Sequence, residues 1–154
     1  MRYLVDTNVL LRLLQRNDPN YSTIRQAVRI LTARGDELCC APQNVVEFWN
    51  VCTRPSTSRG GFGLTLAETD RRVRLIERIF TILEETPAVY PEWRRLVVDN
   101  SVSGVQVHDA RIVSMMNIHG RQQRIFNSKS MNSVWMNTLR EPAHHRPRLN
   151  KKHD

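Results

Sequence analysis

The chain is 154 residues long, with 40% hydrophobic and 25% charged residues, which fits one soluble globular domain with a single core. No apolar run reaches the roughly eighteen residues of a membrane span, and "MRYLVD" meets an acid before any long apolar stretch, which argues against a membrane helix and against a secretory signal. The net charge of +8 is uneven: residues 121–154 carry eight bases and two acids, whereas residues 1–120 carry fifteen and thirteen, so the basic end is either a phosphate-attracting surface or a solvated stretch with no target.

Strand and helix signals alternate, which predicts an α/β layer fold. Residues 2–5 read as a first strand and Asn8–Leu14 as a helix. The turn cluster "RNDPN" follows. A second helix fits residues 22–34, with Ser22 as cap, Ile24, Ala27, Val28 and Leu31 on one face, and Gly35 as the stop. "ELCCA" is a short second strand, and Pro42 opens a helix through residue 53. The Pro-, Ser- and Gly-rich residues 54–63 read as an exposed mobile loop. Thr65 and Glu68 form a capping box for a helix running to about Glu85, with Val73, Ile76, Ile79, Phe80 and Leu83 inward. "AVY", 88–90, reads as a third strand, and Pro91 starts a helix through Val98. Residues 101–107 read as a loop, 108–119 as a helix ended by Gly120, and "RIF", 124–126, as the last interior strand. Beyond Asn127 the pattern weakens: 134–139 reads as an edge strand and 143–154 as a basic, disordered tail after a domain of residues 1–142. Cys39, Cys40 and Cys52 lack metal-ligand spacing and read as core residues of a protein in a reducing cytosol.

Three acids fall at element ends. Asp6 follows the first strand, where open α/β sheets place ligands. Glu47 lies among apolar residues in "NVVEFWNV", and Asp109 opens the helix of "VHDARIV". A cluster of carboxylates needs a cation between them, and magnesium or manganese suits an all-oxygen site. Each acid also has a plain structural explanation: Asp6 as a helix cap, Asp109 as a first-turn acid favoured by the helix dipole, and Glu47 as a solvated side chain.

The segments "YLVDTNVLLRLL", "APQNVVEFWNVCTRP", "VHDARIVSMMNIHG" and "RIFNSKSM" together resemble the blocks of a PIN domain, the small nuclease fold of VapC-like toxins. The resemblance runs from about residue 2 to 131. It implies a three-layer α/β/α fold around a mainly parallel sheet, with Asp6, Glu47 and Asp109 as metal ligands and catalytic residues, supported by Thr7 and Asn8. The fourth block departs from the family pattern: Asn127 stands where a further acid is often found, and offers only a neutral oxygen.

The resemblance further implies a cytoplasmic, Mg²⁺- or Mn²⁺-dependent endoribonuclease, the toxin of a toxin–antitoxin pair. A small antitoxin partner, a homodimer and an RNA substrate come with it. Arg54, Arg59, Arg71 and Arg72 border the mobile loop and are candidates for contacts to an RNA backbone; His108, beside Asp109, is a candidate for phosphate contact. Two other readings stay open. One is a PIN-like module that binds RNA or protein without cleaving. The other is a phospho-acceptor domain, ranked low because only one acid follows the first strand.

Overall fold

The computed structural model describes residues 1–120 together with the backbone of residues 123–126. Asn127, the strand expected at 134–139 and the tail at 143–154 lie outside the described residues.

Among the described residues four short strands form one sheet. β1 (Arg2–Val5) and β2 (Glu37–Cys40) pair in parallel, with Tyr3 opposite Leu38 and Leu4 opposite Cys39. β3 (Thr81–Ile82) pairs parallel to β2, and β4 (Gln123–Phe126) parallel to β1, giving the order β3-β2-β1-β4. In β1, adjacent Leu4 and Val5 are both fully buried, as are adjacent Cys39 and Cys40 in β2. A strand covered on both faces loses the apolar–polar alternation, which is why these segments read as continuous apolar runs.

Among the described residues six helices cover the sheet. α1 (Thr7–Leu13), α2 (Tyr21–Ala33), α3 (Pro42–Thr53) and α4 (Leu66–Ile79) join β1 to β2 and β2 to β3. Val9, Val28, Phe48, Val73 and Ile76 from these helices pack with Val5, Leu38 and Cys40. The alternate residues Leu4 and Cys39 meet the other layer, where Val89 of α5 (Val89–Asp99) and Ile112, Met115 and Met116 of α6 (Gln106–His119) pack. Right-handed crossovers that step one way across a sheet put their helices on one face; stepping back past β1 to β4 puts α5 and α6 on the other. The three-layer α/β/α fold with a parallel sheet is thus present.

Several boundaries differ from the sequence reading. Asn20, not Ser22, precedes α2, which then ends as expected: Gly35 at φ 77° lets the Asp36 amide reach the Leu31 carbonyl and its own amide reach Thr32. Thr65 caps α4 by accepting from the Glu68 amide, but the Glu68 carboxylate turns to Arg71 and Arg72 instead of closing a capping box. α4 stops at Ile79 because Phe80 is extended, and residues 81–82 become the third strand. Phe80 and Leu83 are buried, but not as part of the helix, and Ile79 is exposed. "AVY" is not a strand: Val89 and Tyr90 open α5, so Pro91 stands third in that helix, not first. α1 begins at Thr7, and α6 at Gln106 within the segment read as a loop.

Residues 55–60 are exposed, yet the segment is tied down rather than free. Amides of Phe62, Gly63 and Leu64 donate to carbonyls of Val51, Arg54 and Cys52 at 2.8–3.1 Å. Gly61 is required there: a Cβ would lie 2.3 Å from the Pro55 carbonyl oxygen and 2.6 Å from that of Arg54.

Candidate functional site

The chain leaves β1 toward β2 and β3 and returns on β1's opposite flank as β4, so the carboxyl ends of β1 and β4 border the point where the strand order reverses. Crevices at that point are where open α/β sheets bind ligands. Asp6 is the first residue beyond β1 there. Its backbone remains extended, at φ −82° and ψ 155°, so strand alternation continues one residue and carries the side chain to the face of Leu4. This is the face covered by α5 and α6, and Asp109 lies half-buried in the first turn of α6.

The cap explanation for Asp6 does not hold: its side chain makes no capping hydrogen bond to α1. Oδ2 instead accepts from the Asn8 side-chain amide at 3.1 Å. Thr7 is buried, and its hydroxyl donates to Glu47 Oε2 at 2.6 Å. The same hydroxyl accepts from Asn44 Nδ2 at 3.1 Å, and Asn44 Oδ1 accepts from the Ala41 amide at 2.9 Å. Glu47 Oε1 takes a second donor, Gln43 Nε2, at 2.8 Å. Residues 43, 44 and 47 stand at helical spacings of three and four, so they share one side of α3 while Phe48 and Cys52 fill the core.

These contacts fix the proton pattern. The amide nitrogen of Asn44 can only donate, so the Thr7 oxygen accepts it and must send its single proton to Glu47. Both Glu47 oxygens therefore face donors. Hydrogen bonds to a charged acceptor contribute about 1.5–3 kcal/mol each, which offsets the cost of half-burying it. Glu47 is thus half-buried and held by two side chains rather than wholly solvated.

Among the described residues no Lys or Arg pairs with Asp6 or Glu47, although the chain holds 23 bases. Two carboxylates held by neutral donors, with no protein cation between them, suit a hard divalent ion; magnesium in particular binds through one or two carboxylates and keeps several waters. The three expected acids are brought to the same end of the sheet but not to one point: among the described residues no three His, Cys, Asp or Glu side chains stand close enough to hold a metal.

The expected RNA contacts are dispersed. Arg54 donates to the Arg59 carbonyl at 3.3 Å, Arg71 pairs with Glu68, and Arg72 bonds Glu68 and the Leu14 carbonyl. Arg59 and His108 are exposed. Arg72 also lines a hollow of about 670 Å³ with Leu14, Arg16, Asp18, Phe62 and Leu64, which includes none of the three acids. Sequence reading missed Gln43 and Asn44. The signal for them was their spacing from Glu47, one helical turn before an acid that needs donors.

Fold and site together define an α/β protein with a parallel sheet and acidic side chains on the elements that follow its strand ends. The profile of the PIN domain family matches residues 3–123, and the chain belongs to that family. PIN domains are generally metal-dependent nucleases acting on RNA. No curated protein gives a significant match to the chain. Among the described residues no helix is long and apolar enough to cross a membrane.

Proposed function

We propose that this protein is a Mg²⁺- or Mn²⁺-dependent endoribonuclease of the VapC-like toxin kind, with Asp6, Glu47 and Asp109 as the residues that hold the cation. The observation that carries the reading is the pair of carboxylates beyond β1 and on α3, oriented by Asn8, Thr7 and Gln43 and left without a protein cation. A divalent ion bound there would supply an acidified water and a positive contact for the phosphodiester.

The chain's own side chains do the positioning. Thr7 and Gln43 each donate to one oxygen of Glu47 and fix its direction. Asn8 engages one Asp6 oxygen and leaves the other available. Asp109, in the first turn of α6, approaches from the opposite layer. Asn127 would add a neutral oxygen only. Arg59 and His108, both exposed, are the proposed contacts to the RNA backbone, and Arg54 contributes once it releases the Arg59 carbonyl. The test is cleavage of a fluorescent single-stranded RNA by the parent and by Asp6→Ala, each with Mg²⁺, Mn²⁺ or EDTA. We expect loss of cleavage with EDTA and with the variant. Equal rates for parent and Asp6→Ala in Mg²⁺ refute the assignment.

A small antitoxin that covers the acidic side chains, a homodimer and a cytoplasmic setting belong to the same proposal. Size-exclusion mass with and without the neighbouring gene product tests the first two; a monomer indifferent to that product counts against them. One observation favours a second reading, a PIN-like module that binds RNA or protein without cutting: no three acidic groups converge among the described residues. Such a relic binds RNA with steep salt dependence and shows no turnover.

A further inference from the structure

The hollow of about 670 Å³ lies between the turn that follows α1 and the stretch that leads into α4. Backbone bonds build both rims. On one side the amides of Gln15 and Asp18 donate to the carbonyls of Arg12 and Gln15, and Asp18 Oδ1 accepts from the Asn20 amide at 2.7 Å. This holds Arg16 and Asn17 exposed at the tip of the turn. On the other side the Phe62 amide donates to the Val51 carbonyl at 3.1 Å, and that of Leu64 to the Cys52 carbonyl at 2.8 Å. Arg72 ties the rims together: Nη1 donates to the Leu14 carbonyl at 3.3 Å and Nε to Glu68 at 3.0 Å. Leu14, Phe62 and Leu64 are half-buried against the core and form an apolar floor.

The charges around the hollow are unevenly matched. Asp18 faces Arg12 at 3.8 Å, and Arg72 faces Glu68. Arg16 has no ion pair among the described residues. The volume falls within the about 300–1,000 Å³ of small-ligand sites, which pair an apolar lining with a few placed polar groups. An aromatic ring on an apolar floor, with the amides of Gln15 and Asn17 and one open guanidinium at the edge, suits a nucleotide. The base stacks on the ring, the amides meet its polar edge, and the guanidinium meets a phosphate. A helix of a protein partner asks instead for a continuous apolar groove, which these polar side chains interrupt.

We propose that the hollow is a second RNA contact, a subsite that takes one nucleotide of a single-stranded substrate, with Phe62 against the base and Arg16 against a phosphate. The inference rests on the nuclease reading and deepens it by giving the substrate a minimum length. α1 runs from Asp6 to Leu14, about 12 Å at about 1.5 Å per residue. At about 3.4 Å per stacked nucleotide, the subsite stands about three or four nucleotides from the acids.

The experiment measures binding of fluorescein-labelled single-stranded decamers of A and of U to the full-length protein by anisotropy, in EDTA, from about 50 to 200 mM salt. Cleavage of the same decamers in Mg²⁺ or Mn²⁺ is followed separately, and thermal unfolding reports folding. The variants are Phe62→Leu, Phe62→Tyr, Arg16→Gln and, as control, Arg25→Gln, an exposed arginine of α2 that lines no part of the hollow. Arg16 sits exposed in a turn, so its variant keeps the fold even if Phe62→Leu loosens it.

Loss of a stacking ring weakens binding by about 5–100-fold, and leucine keeps some apolar contact. We therefore expect Phe62→Leu to bind about 5–20-fold more weakly and Phe62→Tyr to bind like the parent. Arg16→Gln should flatten the log–log salt slope by about 0.7, the share of one phosphate on a single strand, and Arg25→Gln should leave it unchanged. A parent that cuts RNA, with Phe62→Leu and Arg16→Gln binding as it does, overturns the subsite and leaves the nuclease reading standing. Binding that depends on Phe62 and Arg16 without cleavage upholds the subsite and overturns the nuclease reading. A parent that neither binds nor cuts overturns both. Equal flattening in Arg16→Gln and Arg25→Gln shows diffuse charge attraction and overturns the subsite. So does unchanged RNA binding with lost affinity for the neighbouring gene product, which assigns the hollow to a protein.

Discussion

Thr7→Val tests the coupling between β1 and α3. Valine matches threonine in shape but cannot donate or accept. The change removes a 2.6 Å bond to a carboxylate, a contact class that contributes about 1.5–3 kcal/mol, and strands the Asn44 amide inside the protein at about 1–3 kcal/mol more. Glu47 is half-buried, so water replaces part of its lost donor, and the lower part of the combined range applies: about 2.5–4 kcal/mol. For a chain of this length the melting temperature falls by about 2–4 °C per kcal/mol, or about 5–15 °C in all. Urea unfolding of the metal-free protein is the assay, with Thr7→Ser as partner variant. Serine keeps the hydroxyl and loses one methyl, at about 0.8 kcal/mol. In a cycle of Thr7→Val with Glu47→Gln, the coupling should exceed about 0.5 kcal/mol. If Thr7→Val is as stable as Thr7→Ser and the coupling vanishes, the hydrogen-bonded path from Asn44 to Glu47 does not exist in solution.

Three further outcomes follow from the same structure. Arg95 first, and Asn117 second, hold the Glu92 carboxyl below the usual carboxylate range, and Arg2 does the same for Glu37; a lowered acid stabilises the fold above its unfolded value of about 4.3 and loses that contribution as pH falls through the folded value. Urea midpoints should therefore hold from pH 7 to 5.5 and drop below about pH 4.3, less steeply in Glu92→Gln; parallel curves for parent and variant would contradict the pairing. Burial pushes the Cys39 and Cys40 thiols up to about 12 and Cys52 to about 11, so Ellman's reagent at pH 8 should label none of them in the native protein and all of them in guanidinium. Gly61→Ala should displace the 54–63 segment, cost about 1–3 kcal/mol and expose residues 55–60 to limited proteolysis; a parent-like digestion pattern would show the close backbone approach to be wrong.

β1, β2 and α3 were readable because local signals agreed: apolar β-formers, then Pro42, then a helical stripe. α4 and β3 were not. "RIFTIL" continues the helical period through Phe80, and nothing local says that Phe80 turns extended; pairing of Thr81 and Ile82 with β2 decides it. "AVY" has strand composition, yet Val89 is buried in the α5–α6 layer, so packing overrides propensity. Within the site, Asp6 and Glu47 were legible as acids at element ends. Gln43 and Asn44 were not, since amides in a first helical turn look ordinary until a distant hydroxyl is seen to connect them. The engagement of Arg54 and Arg72 was hidden for the converse reason: long cations near a loop look unpartnered in a sequence, whereas backbone carbonyls and Glu68 accept from them in the fold.

The pairing of β1 with β4 has a consequence for synthesis. Arg2 lies opposite Gln123 and Val5 opposite Phe126, so an interior strand made among the first residues waits for one made some 120 residues later. At about 5–20 residues per second, a ribosome keeps that flank of β1 open for many seconds. Closing so long a loop adds little to its thermodynamic cost but delays the last step of folding. The end of the sheet beside Asp6 therefore gains its second flanking strand only after β4 has left the exit tunnel.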